Sequence, residues 1–309
     1  MDVHSSRVLS LFLVAVAACG ASSSSPKDSG AGDDDGGNVG DDADTTCTAP
    51  NMLILLDRTG TMHRNLAGST PTDDPAGHAS AKFTIAINAL DALMGTAGLD
   101  QSLRLGLSMF PRDPGGGTCI TLSQRLSGSA TFMNPACEIC EVVVEPALGT
   151  AASIAAAIDP ETTPLCNTTP IGAGLQTAQA DLLTHVLPGV DQYIMLVTDG
   201  ADFADSCPTP DPLEVLRALD AAGTKTFIFG FGAQDTTVGG VNPPVLNQLA
   251  CAGHTAKDFA TNCKLLAGGG YDAGDPMNGP RLYYDAADAA ALSASLRAVA
   301  GSVCCGCIL

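Results

Sequence analysis

The feature that most constrains the fold is a regular alternation between short apolar runs and stretches of helical periodicity. Residues 52–56 and 193–197 are continuous apolar runs, which are typical of strands covered on both faces of a sheet. Residues 78–94 instead place their apolar side chains on one stripe of a helix. Units that alternate in this way predict an α/β fold, in which a doubly wound parallel sheet carries helices on both faces.

The other predicted elements continue this alternation. Further strands are predicted at 103–109, 141–145, 226–231 and 282–284. Further helices are predicted at 151–158, 171–183, 211–223, 245–250 and from 285 onward. In the strand at 103–109, apolar residues alternate with Arg, Gly and Ser, which indicates one less buried face. Residues 111–140 are rich in Pro, Gly and Cys and indicate an insertion.

The first 46 residues are predicted to lie outside this fold. Residues 1–18 contain Arg7 and a short apolar run, as expected of an export signal. The sequence Val-Ala-Ala-Cys that ends at Cys19 resembles the lipobox of bacterial lipoproteins. This resemblance implies lipidation of Cys19 and a mature protein anchored in the cell envelope, on the periplasmic or surface face. An ordinary secretory signal, with Cys19 incidental, stays open as the alternative.

Residues 19–46 are rich in Gly, Ser and Asp, and they predict a disordered tether because they offer little apolar surface to bury. The folded domain is therefore predicted at 47–309. Lys and Arg total 14 against 33 Asp and Glu, which gives the chain a net charge of −19. Nucleic acids and anionic membranes attract positive surfaces. We therefore expect no nucleic-acid partner, and membrane contact only through the lipid anchor.

The chain has twelve cysteines, and exported proteins hold cysteines mainly in disulfides. With Cys19 lipidated, the disulfide candidates are Cys47, Cys119, Cys137, Cys140, Cys166, Cys207, Cys251, Cys263, Cys304, Cys305 and Cys307. This odd number leaves at least one thiol free or paired with another molecule. A zinc site stays open as an alternative, because Cys137-x-x-Cys140 and the C-terminal cluster have spacings that metal ligands can use.

Three groups of disulfide partners are expected. The first strand and last helix are neighbours in doubly wound domains of this kind, so we expect Cys47 to bond Cys304, Cys305 or Cys307. We expect Cys207 to bond Cys251 or Cys263. The remaining cysteines are expected to pair among themselves: Cys119, Cys137, Cys140 and Cys166.

Oxygen-bearing side chains stand at three points where this fold places ligands. Asp57, Thr59 and Thr61 follow the first strand, Thr169 precedes a helix, and Asp199 ends the strand at 193–197. Ligands of doubly wound sheets bind beyond the carboxyl ends of the strands. Hard divalent cations, Mg²⁺ among them, take oxygen ligands. The sequence therefore predicts a divalent metal site at this edge of the sheet.

The combination resembles the von Willebrand factor A domain and its metal-ion-dependent adhesion site. MLILLDRTGTM is similar to the family's DxSxS strand and turn, TPIGAGL to its Thr loop, and YIMLVTDG to its Asp strand and turn. The resemblance implies a six-stranded sheet with one antiparallel edge strand. It implies that the five donors bind Mg²⁺, or Mn²⁺ or Ca²⁺, with an open position for a carboxylate of a protein partner.

This sequence departs from the family pattern in two ways. Thr stands in place of Ser at 59 and 61, which keeps the hydroxyl but stiffens the side chain. The separation between Asp57 and Thr169 is long, which is consistent with the insertion at 111–140.

We therefore predict adhesion or protein–protein interaction, and no enzymatic activity. The common motifs of serine hydrolases, zinc proteases and P-loop proteins do not occur in the sequence. His63 lies beside the metal motif and is interpreted as a surface-loop histidine, and a role as a base or metal ligand stays open as the alternative. Two alternatives stay open: a passive structural lipoprotein whose metal holds loops together, and a hydrolase that uses metal-bound water.

Overall fold

The computed structural model describes residues 48–132, 140–200, 210–232, 241–274, 279–286 and 288–304. Its strands are β1 (Asn51–Asp57), β2 (Arg104–Phe110), β3 (Glu141–Ala147), β4 (Gln192–Thr198), β5 (Thr224–Phe231), β6 (Lys264–Leu265), β7 (Tyr271–Asp272) and β8 (Tyr284–Ala286). Its helices are α1 (Pro75–Ser80), α2 (Lys82–Met94), α3 (Leu99–Ser102), α4 (Leu122–Leu126), α5 (Ala151–Ala157), α6 (Ile171–Thr184), α7 (Pro212–Ala221), α8 (Pro243–Ala252), α9 (Phe259–Asn262) and α10 (Ala289–Val303). A 3-10 turn at Gly60–His63 follows β1.

Six strands form one sheet in the order β3-β2-β1-β4-β5-β8. The pairs β1–β2, β1–β4, β4–β5 and β5–β8 are parallel. The edge strand β3 runs antiparallel to β2. The predicted fold class, a mostly parallel six-stranded sheet with one antiparallel edge strand, is therefore confirmed. Strands β6 and β7 form a separate antiparallel pair.

Helices cover both faces of the sheet, and each face has its own apolar layer. Helices α2, α5 and α10 pack on one face, and α6, α7 and α8 pack on the other. The central strand β1 supplies side chains to both layers, because successive residues of a strand point to opposite faces. Ile54 lies in the first layer and Leu55 in the second, and both are fully buried. The continuous apolar run of β1 follows from its central position.

The predicted helix at 78–94 is divided into α1 and α2. Ala81 between them has extended backbone angles, and the Lys82 N–H donates to the carbonyl of Arg64 at 2.8 Å. This contact with the segment after β1 starts a new helix at Lys82. The other predicted elements form within a few residues of their expected bounds.

The prediction that the second strand has one less buried face is wrong. Strand β2 lies between β1 and β3 in the sheet, and Ser108 is fully buried. At Gly106, an added Cβ would lie 2.9 Å from Leu53 Cδ1 and 2.8 Å from Pro146 Cγ. The small residues of β2 therefore allow close packing on a covered face.

The described disulfides confirm one expected pairing and correct two others. Cys119 bonds Cys166, as expected for two members of that group. Cys140, however, has a free thiol. Cys251 bonds Cys263, so the expectation that one of them pairs with Cys207 is wrong; the two lie only 12 residues apart, and α9 brings the chain back to α8.

Several predictions concern residues outside the described ones. These are the signal at 1–18, the tether at 19–46 with Cys19, and the cysteines Cys47, Cys137, Cys207, Cys305 and Cys307. Cys304 is disulfide-bonded. None of the helices in the described ranges combines the length and apolar character that a membrane span requires.

Candidate metal site

The two carboxylates of the predicted site lie at the ends of neighbouring strands. Asp57 is the last residue of β1, and Asp199 directly follows β4. These strands pair in parallel with Leu56 opposite Val197, so their carboxyl ends meet at one edge of the sheet. Asp57 and Asp199 are both fully buried. The fold therefore brings together two acidic groups that lie far apart in the sequence.

Asp57 is held by hydrogen bonds from both strand ends. Its Oδ1 accepts the backbone N–H of Thr59 at 2.7 Å. Its Oδ2 accepts the hydroxyl of Thr198, the last residue of β4, at 2.6 Å. These donors orient the carboxylate and favour its charged form.

The hydroxyls of the DxTxT segment connect to the second carboxylate. Thr59 Oγ1 and Thr61 Oγ1 lie 3.1 Å apart, and the Thr61 hydroxyl donates to Asp199 Oδ1 at 3.0 Å. Thr59 is buried, whereas Thr61 in the 3-10 turn is partly exposed. Four of the five predicted donors therefore lie in one hydrogen-bonded cluster at the carboxyl edge.

The loop that carries Thr169 contacts the DxTxT segment through the backbone of Cys166. Cys166, three residues earlier, forms a bridge with Thr59, and its N–H donates to the Arg58 carbonyl at 2.9 Å. Thr168 adopts a left-handed conformation with φ of 65°, which is uncommon for a β-branched residue. Thr169 is itself buried, just before α6. The loop is thus attached beside the DxTxT segment.

Burial and charge both act on Asp57. Desolvation and, second to it, the nearby Asp199 carboxylate raise the pKa of Asp57 to about 7, against the opposing effect of the hydrogen bonds from Thr198 and Thr59. Two buried like charges at a shared site disfavour ionisation of each other. A bound divalent cation would reverse this effect by attracting both carboxylates.

Sequence reasoning missed Lys82, the first residue of α2. Its ammonium donates to Asp199 Oδ2, and both side chains are 1% exposed. The sequence spacing could have revealed this residue. Lys82 lies four residues before Ala86, on the stripe of α2 that faces the sheet. A lysine at a predicted core position indicates a buried acidic partner, because buried lysines are nearly always paired.

The insertion borders the same edge of the sheet. Within it, Cys119 is bonded to Cys166, and Ile120 pairs with Leu165. Phe132 packs on the 3-10 turn: a Cβ added at Gly60 would lie 2.9 Å from its ring. The described part of the insertion therefore supports both the DxTxT turn and the Thr169 loop.

His63 is not the surface residue that the sequence predicted. Its side chain is buried under Phe132, with the two ring centroids 6.4 Å apart. Its Nδ1 contacts the Gly60 carbonyl. Desolvation lowers the pKa of His63 to about 4, so the ring is neutral at physiological pH and stabilises the turn locally.

The donor set suits a hard divalent cation. Two carboxylates and three hydroxyls are oxygen ligands of the kind that Mg²⁺ and Ca²⁺ prefer. Among the residues that the structure describes, no group of three His, Cys, Asp or Glu is placed to hold a metal. The threonine hydroxyls are therefore the further side-chain oxygens that this cluster offers to a cation at Asp57 and Asp199.

Comparison with known proteins agrees with this architecture. Residues 144–265 match the family described as the von Willebrand factor type A domain. The fold is a von Willebrand factor A (vWA) fold. The matched residues include Thr169 and Asp199, whereas the DxTxT segment precedes them. No significant sequence match to a curated protein was found.

Several solved structures are similar to the chain. Proximal thread matrix protein 1 of the mussel byssus has 13% identity and a TM-score of 0.47, over 82% of this chain and 46% of the mussel protein. A further structure of that protein, described with a zinc-occupied MIDAS motif, has 13% identity and a TM-score of 0.46, over 82% and 47%. The pilus adhesin SpaC of Lactobacillus rhamnosus GG has 18% identity and a TM-score of 0.46, over 84% of this chain and 31% of the adhesin. The chain thus spans less than half the length of either protein.

Proposed function

We propose that the vWA domain of this chain binds a protein partner through a divalent cation. In this proposal Asp57, Thr59, Thr61, Thr169 and Asp199 hold the cation, with Mg²⁺ as the first choice and Mn²⁺ or Ca²⁺ as substitutes. The partner offers a carboxylate to the remaining coordination position. The chain acts by binding and carries out no catalysis.

The observation that carries the proposal is the burial of Asp57 and Asp199 together beside two hydroxyls. Buried carboxylates repel each other, and the Lys82 ammonium at Asp199 offsets only one of the two negative charges, so a divalent cation would stabilise the ionised pair further. The Thr59 and Thr61 hydroxyls lie within hydrogen-bond distance of each other, and the Thr61 hydroxyl donates to Asp199. This arrangement places several oxygens at one point, which is the requirement of a hard cation.

Because the chain is acidic, it would attract an acidic partner group only where a bound cation makes the surface locally positive. A net charge of −19 on the chain disfavours the approach of acidic ligands. A divalent cation at the strand ends would create a local positive centre, so recognition of a carboxylate would depend on the loaded site. Added salt should then slow the encounter more than it weakens the metal-bound contact.

The test of cation binding is calorimetric titration with Mg²⁺ and with Mn²⁺. The parent protein should bind one equivalent saturably, and Asp57→Ala should lose this binding. Thr59→Ser is the matched control, because it keeps the hydroxyl and should bind comparably. Circular dichroism should show a folded domain for all three proteins. Equal binding by Asp57→Ala and the parent would exclude this site.

The test of partner chemistry uses a short Glu-rich peptide as the probe. The peptide should bind the parent protein in Mg²⁺ and lose binding in EDTA, while a Gln-rich peptide of equal length should bind in neither. Cation binding without any effect on the Glu-rich peptide would favour a structural role for the metal.

We further propose that the domain is displayed on the bacterial cell envelope through a lipid on Cys19. The short apolar run and the Cys at its end motivate this proposal. The full-length protein should partition into detergent, and Cys19→Ser should move it to the aqueous phase. A Cys19→Ser protein that still sediments with membranes would place the anchor elsewhere.

A further inference from the structure

Lys82 occupies a position that is electrostatically unfavourable in two ways. Its side chain is 1% exposed, and burial of an ammonium without a partner is strongly unfavourable. It is also the first residue of α2, where the positive end of the helix dipole disfavours a cation. The Asp199 carboxylate compensates for both effects.

The two oxygens of Asp199 have different donors. Oδ2 accepts the Lys82 ammonium, and Oδ1 accepts the Thr61 hydroxyl. The Lys82 stem runs alongside Gly232 at the end of β5, where an added Cβ would lie 3.4 Å from Lys82 Cδ. The ammonium is therefore held against Asp199 by packing as well as by charge.

We propose that Lys82 is a built-in counter-ion of Asp199 that competes with a divalent cation and lowers the affinity of the site for it. This inference rests on the proposed function, because it concerns the same site. A cation bound at Asp57 and Asp199 shares the Asp199 carboxylate with the ammonium. Lys82 then either repels the cation at short range or leaves its carboxylate as the cation binds.

The competition has a functional consequence. With Lys82 in place, Asp57, Asp199 and the ammonium carry one net negative charge when both acids are ionised, and a divalent cation turns this into one net positive charge. A partner carboxylate would then neutralise the site. Lys82 therefore makes cation binding weak without a partner and stronger with one, which couples the two ligands.

Lys82→Met tests the inference, because Met keeps an unbranched stem of similar length without the charge. Lys82→Gln is a second variant that keeps a hydrogen-bond donor. Lys225→Met is the matched control, since it removes the same charge from an exposed position at the opposite end of β5. Each protein is titrated with Mn²⁺ alone by calorimetry, and thermal unfolding is measured in EDTA and in Mn²⁺.

We expect Lys82→Met and Lys82→Gln to bind Mn²⁺ about 10- to 1,000-fold more tightly than the parent, the range by which a nearby unit charge shifts ionic equilibria. In EDTA both should melt at lower temperature than the parent, because the two carboxylates lose their counter-ion. Mn²⁺ should raise their melting temperature more than that of the parent. Lys225→Met should match the parent in all measurements.

The outcomes separate this inference from the proposed function. Parent and Lys82 variants that bind Mn²⁺ equally, or variants that bind more weakly, would overturn the role of Lys82 and leave the metal site standing. If the Lys82 variants bind Mn²⁺ and the parent does not, the counter-ion role of Lys82 is supported, and Lys82 excludes the cation from the parent. Folded variants and parent that all fail to bind Mn²⁺ would overturn both.

Discussion

The Thr198 hydroxyl donates a 2.6 Å hydrogen bond to Asp57 Oδ2, and so joins the ends of the two central strands β4 and β1. Neither residue is exposed to solvent, so water does not compete for this bond. It orients the carboxylate whose charge is disfavoured by burial and by Asp199. This contact therefore links the ends of two paired strands to the electrostatics of the candidate site.

Thr198→Val should weaken the site while keeping its shape. Val has the size of Thr but removes the donor to Asp57, so the pKa of Asp57 should rise further and Mg²⁺ binding should weaken. The free energy of unfolding at pH 8 in EDTA should fall by about 1–3 kcal/mol, the cost of leaving a buried acceptor unpaired. Chemical denaturation and calorimetric titration measure the two effects.

Thr226→Val on β5 is the control for this change. Thr226 is equally buried, and its hydroxyl has no hydrogen-bond partner. The same substitution there should leave stability unchanged or higher, without effect on cation binding. Equal losses in both variants would mean that the Thr198 hydroxyl has no special role.

Asp57→Asn should change the pH dependence of stability in EDTA. The pKa of Asp57 is raised from 3.8 to about 7, so the folded state favours the protonated acid. The stability that this group contributes is present below pH 3.8 and is lost as the pH rises through 7. Asparagine does not titrate, so Asp57→Asn should lack this decrease in stability with rising pH.

His63 acts in the opposite direction, because its pKa is lowered from 6.5 to about 4. The stability that the neutral His63 ring contributes to the folded state is fully present above pH 6.5 and is lost as the pH falls through 4. Urea denaturation of Asp57→Asn between pH 4 and 6.5 should therefore show stability rising with pH more steeply than in the parent. Parallel profiles for the two proteins would contradict the raised pKa of Asp57.

Removal of the Cys119–Cys166 disulfide should affect both stability and the site. Cys166 forms the bridge to Thr59 and anchors the loop that carries Thr169. The double substitution to Ser should lower the free energy of unfolding by about 2–4 kcal/mol and weaken Mg²⁺ binding. Removal of Cys251–Cys263, which joins α8 to the residue after α9, should lower stability without weakening Mg²⁺ binding. Equal effects of the two changes on Mg²⁺ binding would contradict the role of the loop anchor.

Gly172→Ala should destabilise the domain, because the first turn of α6 lies directly against the backbone before α7. An added Cβ would overlap the carbonyl oxygen of Pro210 and lie 3.2 Å from Pro212 N. We expect a loss of about 1–3 kcal/mol, as for other overpacked sites. Gly200→Ala, beside Asp199, meets no atom within 4 Å and should change stability by less than about 0.5 kcal/mol. Thermal unfolding compares the two variants.

Local patterns were sufficient to predict the sheet and most helices. A short apolar run such as 52–56, which is bounded by Pro50 and Asp57, is typical of a buried strand, and the donors that follow it are then at the strand end. The predictions failed where a neighbour distant in the sequence decides the outcome. Ala81 interrupts the predicted helix because the segment after β1 binds the backbone of Lys82, and His63 is buried because Phe132 of the insertion covers it.

The sequence by itself determined the order of the six strands of the main sheet and of the longer helices, the carboxyl-edge position of Asp57 and Asp199, and the acidic character of the chain. Each of these follows from local periodicity or from composition. The tertiary structure decided that Lys82 pairs with Asp199, that Thr198 binds Asp57, and that Cys166 bonds Cys119 rather than another cysteine. These contacts join residues 47 to 141 positions apart, and their energies depend on distances and burial that are set only when the helices pack on the sheet.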